Sequence, residues 1–241
     1  MRNAQGEFIW YELLTTDMAK ARAFYEAVVG WKSNAAPVPD GTGEYLMLMR
    51  PDGGDKDATG GAMQLTAEMT ANGARPMWAG YIGVDDVDAT VAQIEAAGGQ
   101  VLMPAFDLPN VGRMAFVTDP QGNPFYVMRG SPDERSEVYS ETSGDIAKCG
   151  WNELMVADLD AALAFHGSVF GMTVNERMAM GEGMGDYCFL DVGTMRIGAA
   201  MRASEGAPTG WQFYFRVPDI EEAKTAVEKN GGTVFMGPHE V

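Results

Sequence analysis

A glutamate follows a tryptophan by two residues at two places in the chain, in Trp10-Tyr11-Glu12 and in Trp151-Asn152-Glu153. Side chains alternate between faces along an extended strand, so Trp10, Glu12 and Leu14 share one face and Tyr11, Leu13 and Thr15 the other. The same parity sets Glu153 beside Trp151. An indole next to a carboxylate makes an apolar wall with one polar handle, which suits a planar or amphipathic small molecule bearing a cationic or hydroxyl group. Glu12 and Glu153 are therefore the catalytic candidates, as proton acceptors whose pKa burial beside an indole would tune. Two plainer roles stay open. The tryptophans also suit core filling, and the glutamates suit structural hydrogen bonding, for example to Arg113 or Arg196.

Other chemistry is scarce. Cys149 and Cys188 are the only cysteines, which leaves no disulfide framework and no zinc site built from cysteine pairs. Cys188 lies in the alternating stretch Tyr187-Cys188-Phe189-Leu190 and reads as a small buried thiol. Of the two histidines, His166 sits beside Phe165 in a helical pattern and reads as structural. The acidic run from Asp52 to Asp57 lacks the spacing of a calcium loop, and no phosphate-cradling glycine motif, nucleophile elbow or Cys–His pairing is visible. Most of the 18 methionines, such as Met47, Met49, Met114 and Met128, fall on strand patterns as core residues.

The charge balance bounds the partners. With 34 acidic against 17 basic side chains the chain carries a formal charge of −17, opposite to what a nucleic-acid backbone or an acidic membrane surface requires. No apolar run approaches the length of a membrane span, and the residues after Met1 are polar rather than a secretion core. The expectation is a soluble, cytoplasmic protein of ordinary globular composition with one or two domains.

The elements that must position these residues occur in repeated order. The string Trp10-Tyr11-Glu12-Leu13 leading to Asp17 recurs as Trp151-Asn152-Glu153-Leu154 leading to Asp158, and Ala23-Phe24 and Gly30 recur as Ala164-Phe165 and Gly171. Further on, residues 78–86 match 211–219, and Gly98-Gly99 matches Gly231-Gly232. Each half divides again into strand, Asp, helix, Gly. The first helix places Ala21, Phe24 and Val28 on one face with Asp17 as its cap, and its counterpart places Ala162, Phe165 and Val169 likewise. Strands are expected at 44–49, 61–65, 113–118, 125–128, 186–192 and 195–200. The unit reads β-α-β-β-β. The expected domains are 1–129, with modules 7–66 and 77–129, and 149–241, with modules 149–201 and 210–241, joined by a polar linker at 130–148.

The string Phe24-Tyr25 with Gly30-Trp31, and the turn Asp119-Pro120-Gln121-Gly122-Asn123-Pro124-Phe125, resemble the vicinal oxygen chelate superfamily, which includes glyoxalase I, bleomycin-resistance proteins and extradiol dioxygenases. The resemblance covers nearly the whole chain. It implies an α+β fold of tandem βαβββ modules, in two glyoxalase/bleomycin-resistance-type domains whose mixed sheets form cups with flanking helices. Modules would pair first with second and third with fourth, and a homodimer is compatible with it. Module 2 runs through a last hairpin that the fourth module lacks, so the chain is expected to be shorter than a natural product.

The resemblance also implies where a divalent metal would be bound, since family members that use one hold it with His, Gln and Glu. The matching positions here are Trp10, Ala79 and Tyr126 in the first half, with a fourth near Met63 or Gln64, and Trp151 and Gln212 in the second. No metal and no cofactor is therefore expected, and a divalent metal is the alternative. The expected ligand-binding set is Trp10, Glu12, Tyr126, Trp151, Glu153, Gln212 and His239, the last in a loop matching that of Phe106. The function this implies is metal-independent binding, or metal-free isomerisation, of a small aromatic or amphipathic molecule. A metal-dependent glyoxalase-type lyase or ring-cleaving dioxygenase, and a non-catalytic scaffold, are the alternatives.

Overall fold

In a computed structural model, residues 2–37, 44–53, 57–131, 133–181 and 185–239 are described. The acidic run from Asp52 lies partly outside them. Among the described residues, thirteen strands and five helices follow the repeated order. In the first half β1 (Phe8–Thr15), α1 (Met18–Val28), β2 (Lys32–Ala36), β3 (Tyr45–Met49) and β4 (Ala58–Gln64) form one unit. After a short α2 (Ala67–Ala71) come β5 (Met77–Gly83), α3 (Val87–Ala96), β6 (Gln100–Leu108), β7 (Gly112–Thr118) and β8 (Pro124–Gly130). The second half holds β9 (Cys149–Val156), α4 (Leu159–Phe170), β10 (Thr173–Ala179), β11 (Asp186–Val192), β12 (Met195–Arg202), β13 (Gly210–Phe215) and α5 (Ile220–Lys229). This is the expected α+β fold.

Four of the helices start on the aspartates that the repeat singled out. Asp17, Asp86, Asp158 and Asp219 each accept hydrogen bonds from backbone N–H groups of the first turn, which satisfies donors the helix leaves unpaired. Gly30 and Gly171, just past α1 and α4, take positive φ of 85° and 71°.

The first sheet is eight-stranded, in the order β2-β3-β4-β1-β5-β8-β7-β6, so modules one and two pair edge to edge through antiparallel β1 and β5. The second sheet has five strands among the described residues, β10-β11-β12-β9-β13, with β13 of the fourth module beside β9 of the third. One face of each sheet joins a shared core. Phe8 packs edge-on to Trp211 at 5.0 Å between centroids, Tyr11 to Phe213 at 5.0 Å, and Phe215 to Trp31 at 4.8 Å. Phe8 and Tyr11 reach the same face because β1 carries an irregularity in register between Phe8 and Trp10. The Tyr11 hydroxyl donates to Asn152 Oδ1 at 2.7 Å, joining β1 to β9 inside this core. At the surface, Gln121 of the turn before β8 both donates to the Asp158 carbonyl and accepts from its N–H, each at 2.8 Å.

The segment that joins the two halves packs against both. Val138, Tyr139 and Ala147 are buried, the Trp31 indole donates to the Ala147 carbonyl, and the Tyr139 hydroxyl donates to that of Arg196. On α1 only Met18 is buried, and Ala21, Phe24 and Val28 are half-covered. The reason is that this helix lies against α5 near the surface, where the Phe24 ring sits over Gly232.

Candidate functional site

The face of each sheet turned away from the shared core is the one the resemblance expects to line a cup, termed its bowl, and cross-strand pairing fixes which side chains that face carries. In the first bowl Trp10 pairs with Tyr81, Glu12 with Ala79 on one side and Gly61 on the other, Tyr45 with Met63, and Tyr81 with Tyr126. Partners across a ladder share a face, so Trp10, Glu12, Tyr45, Tyr81 and Tyr126 converge.

Glu12 lies at the centre and is 4 % exposed. Its Oε2 accepts from the Tyr81 hydroxyl at 3.0 Å, and the Tyr45 hydroxyl is its second phenol partner. Tyr45 in turn accepts from the Trp10 indole N–H at 3.0 Å. The Tyr81 ring stacks on Tyr126 with centroids 4.2 Å apart, and Phe116 lies 4.4 Å beyond. Burial pushes the Glu12 carboxyl up to about 7, and the two phenol donors hold it back from a larger rise. Burial and the neighbouring Glu12 push the Tyr45 and Tyr81 hydroxyls well above the ordinary tyrosine value, and Tyr126 upward as well. The result is one carboxyl poised near neutrality among phenols that keep their protons.

The second bowl repeats the arrangement. Trp151 donates to the Tyr187 hydroxyl at 2.8 Å, Tyr187 donates to Glu153 Oε2 at 2.8 Å, and Tyr214 donates to Glu153 Oε1 at 2.9 Å. Here the group is more open, since Glu153, Trp151 and Tyr187 are half-buried and Tyr214 is 48 % exposed. Gln212 pairs with Glu153 across the ladder and points its amide N–H at the Met155 sulfur, 2.9 Å away.

The structure thus brings Trp10, Glu12 and Tyr126 together in one bowl and Trp151, Glu153 and Gln212 in the other. His239 is exposed, with Nδ1 3.4 Å from the Gly237 carbonyl of its own loop. Neither glutamate has the arginine partner considered for it. Arg113 is taken by Asp88 and Asp107, and Arg196 by Asp191 and Glu176. His166 is buried against Phe125, Phe165, Phe170 and Trp211 with both ring nitrogens unpartnered, and burial lowers its pKa to about 4. Cys188 is buried, as expected.

Sequence reasoning missed the tyrosines. Tyr45 and Tyr187 lie at the starts of matching strands, as the first residue of β3 and the second of β11, and Tyr81 and Tyr214 occupy the same place in the repeated segments 78–86 and 211–219. That repetition was the available signal. The pairing of Trp10 with Tyr81 turns it into geometry.

Comparison with known proteins bears on this fold directly. The model of the Glyoxalase/Bleomycin resistance protein/Dioxygenase superfamily matches residues 8–127 and 147–241. The chain belongs to this superfamily. Among its relatives are "Putative glyoxylase CFP32" of Mycobacterium tuberculosis, 35 % identical over 98 % of this chain and 87 % of that protein, and "Anthracycline biosynthesis protein DnrV" of Streptomyces peucetius, 27 % identical over 98 % and 86 %. Among solved structures, the 2,2',3-trihydroxybiphenyl 1,2-dioxygenase of Sphingomonas wittichii superposes with a TM-score of 0.62 at 16 % identity, over 97 % of this chain and 81 % of its own. The Mn(II)-bound glyoxalase of Novosphingobium aromaticivorans does so with a TM-score of 0.60 at 16 % identity, over 95 % and 72 %. These likenesses carry the fold.

A divalent metal at the positions the resemblance implies for one would meet an indole, a methyl group and a phenol at Trp10, Ala79 and Tyr126. Gln64 is committed to the start of α1, where its Oε1 accepts from the Met18 N–H, and Met63 offers only a thioether. No group of three His, Cys, Asp or Glu side chains able to hold a metal occurs among the described residues. With protonated phenols around a single carboxyl, the donor set of the first bowl does not fit a divalent cation.

Proposed function

We propose that this superfamily member binds a small aromatic or amphipathic molecule in its first bowl without a metal, and that Glu12 is the group able to do chemistry there. The observation that carries this reading is the Glu12 carboxyl itself, enclosed beside Trp10, held by Tyr45 and Tyr81, and shifted to about 7. A carboxyl in that range accepts a proton from a ligand and returns it at neutral pH, which is what a metal-free isomerisation asks of its base. The tyrosine hydroxyls orient the carboxylate, and the half-buried faces of Trp10 and Phe116 offer an apolar wall to a ring.

The reading is tested by screening planar aromatic and amphipathic compounds against chelator-treated protein while following tryptophan fluorescence. At least one compound is expected to quench, to bind about tenfold more weakly or worse to Trp10→Ala, and to bind with a pH dependence that Glu12→Gln abolishes. A screen without hits, or binding that returns only when a divalent ion is added, would contradict it.

A further inference from the structure

The two bowls hold the same four side chains in the same bonding order but in different surroundings. Around Glu12 the rings close in, whereas Glu153 sits on an open face. Its two oxygens each accept a single phenol hydrogen bond, from Tyr187 and from Tyr214. A carboxylate has about four acceptor positions, so one on each oxygen remains for a ligand. Beside it lies an aromatic floor. Trp151 and Phe189 meet edge to face at 6.1 Å, Tyr187 and Phe189 at 5.4 Å, and all three rings are half-buried.

The charges on this face favour one kind of guest. Glu176 pairs with Phe189 across the ladder, and Arg196 lies 4.5 Å over the Phe189 ring while bonding to both Glu176 and Asp191. Arg196 is thus engaged by Glu176 and Asp191, and Glu153 has no cation within ion-pair distance among the described residues. An anion would meet uncompensated negative charge. A neutral apolar molecule would strip water from the Glu153 oxygens and give nothing back. A cation satisfies both, because ring faces attract positive charge and the carboxylate accepts its N–H groups or lies against its methyls.

We propose that the second bowl is a separate binding site for an organic ammonium ion carrying an apolar body, with the cation against Glu153 and the body on Trp151, Tyr187 and Phe189. This does not depend on what the first bowl binds. The first bowl encloses its carboxylate more deeply, so the two copies of the cluster differ in how far Glu12 and Glu153 are covered.

The test is calorimetric titration of the full chain with phenethyltrimethylammonium, and with its neutral isostere in which carbon replaces the quaternary nitrogen. The cation is expected to bind at least about tenfold more tightly than the neutral compound, with a similar loss in Glu153→Gln. The isostere comparison needs no variant and so stands whatever a substitution does to folding. Equal binding of the two compounds, no binding of the cation at millimolar concentration, or undiminished binding of the cation to folded Glu153→Gln would overturn the proposal. None of these outcomes touches the metal-free screen on the first bowl.

Discussion

Glu12 and Glu153 share neighbours of the same kind, and the depth at which each lies decides what it can do. Because the Glu12 carboxyl is raised from 4.5 to about 7 in the folded chain, the folded state holds a proton that the unfolded state has lost between those values. Its contribution to stability is thus complete below about pH 4.5 and is lost as the pH rises toward 7. Glu12→Gln should remove a decline of up to about 3 kcal/mol between pH 5 and pH 8, read as the difference between the urea denaturation curves of variant and parent. A parallel pH dependence in both proteins would mean that Glu12 titrates normally. At this scale the sequence was partly legible. Strand parity was enough to set Glu12 beside Trp10, but not to name Tyr45 and Tyr81 as its partners in place of Arg113, because a cross-strand neighbour depends on register, which no local pattern reports.

Among the elements, β4 must let β3 lean over it. A Cβ on Gly61 would collide with the Tyr45 hydroxyl, so Gly61→Ala should displace Tyr45 and break the chain from Trp10 to Glu12 while leaving the ladder intact. Altered Trp10 fluorescence with unchanged far-ultraviolet circular dichroism is the expected result, and an unchanged emission spectrum would contradict it. Helix α4 offers a second test. His166 is lowered from 6.5 to about 4, mainly by burial, so the unfolded chain takes up a proton there before the folded chain does. Its contribution is complete above pH 6.5 and is lost as the pH falls toward 4. His166→Phe, among Phe125, Phe165 and Phe170, should keep stability at pH 7 and recover up to about 3 kcal/mol at pH 4.5, measured by thermal or urea unfolding. Helix positions were the most readable part of the sequence, since an aspartate cap, an apolar period and a closing glycine are all local. The strands at 32–36 and 100–108 were not, because the first is mostly exposed and the second is interrupted in register.

The whole molecule is two repeats fused through one core, and the repeat in the sequence showed the doubling without showing the fusion. What joins the halves are rings from both sides, Phe8, Tyr11 and Trp31 against Trp211, Phe213 and Phe215, together with a segment at 130–148 whose polar composition hides its buried Val138, Tyr139 and Ala147. Phe215→Ala, at the meeting of Trp31 and Trp78, should cost about 2–4 kcal/mol and lower a single calorimetric transition. Two separated transitions would show that the halves unfold independently. The central claim, that Glu12 stands in the first bowl as a carboxyl poised near neutrality among protonated phenols, is tested most directly by carbon-13 NMR of the Glu12 side-chain carboxyl, assigned with Glu12→Gln. A titration midpoint close to pH 7, the same with and without a chelator, is the predicted result. A midpoint in the ordinary glutamate range, or a signal that moves when divalent ions are removed, would contradict it.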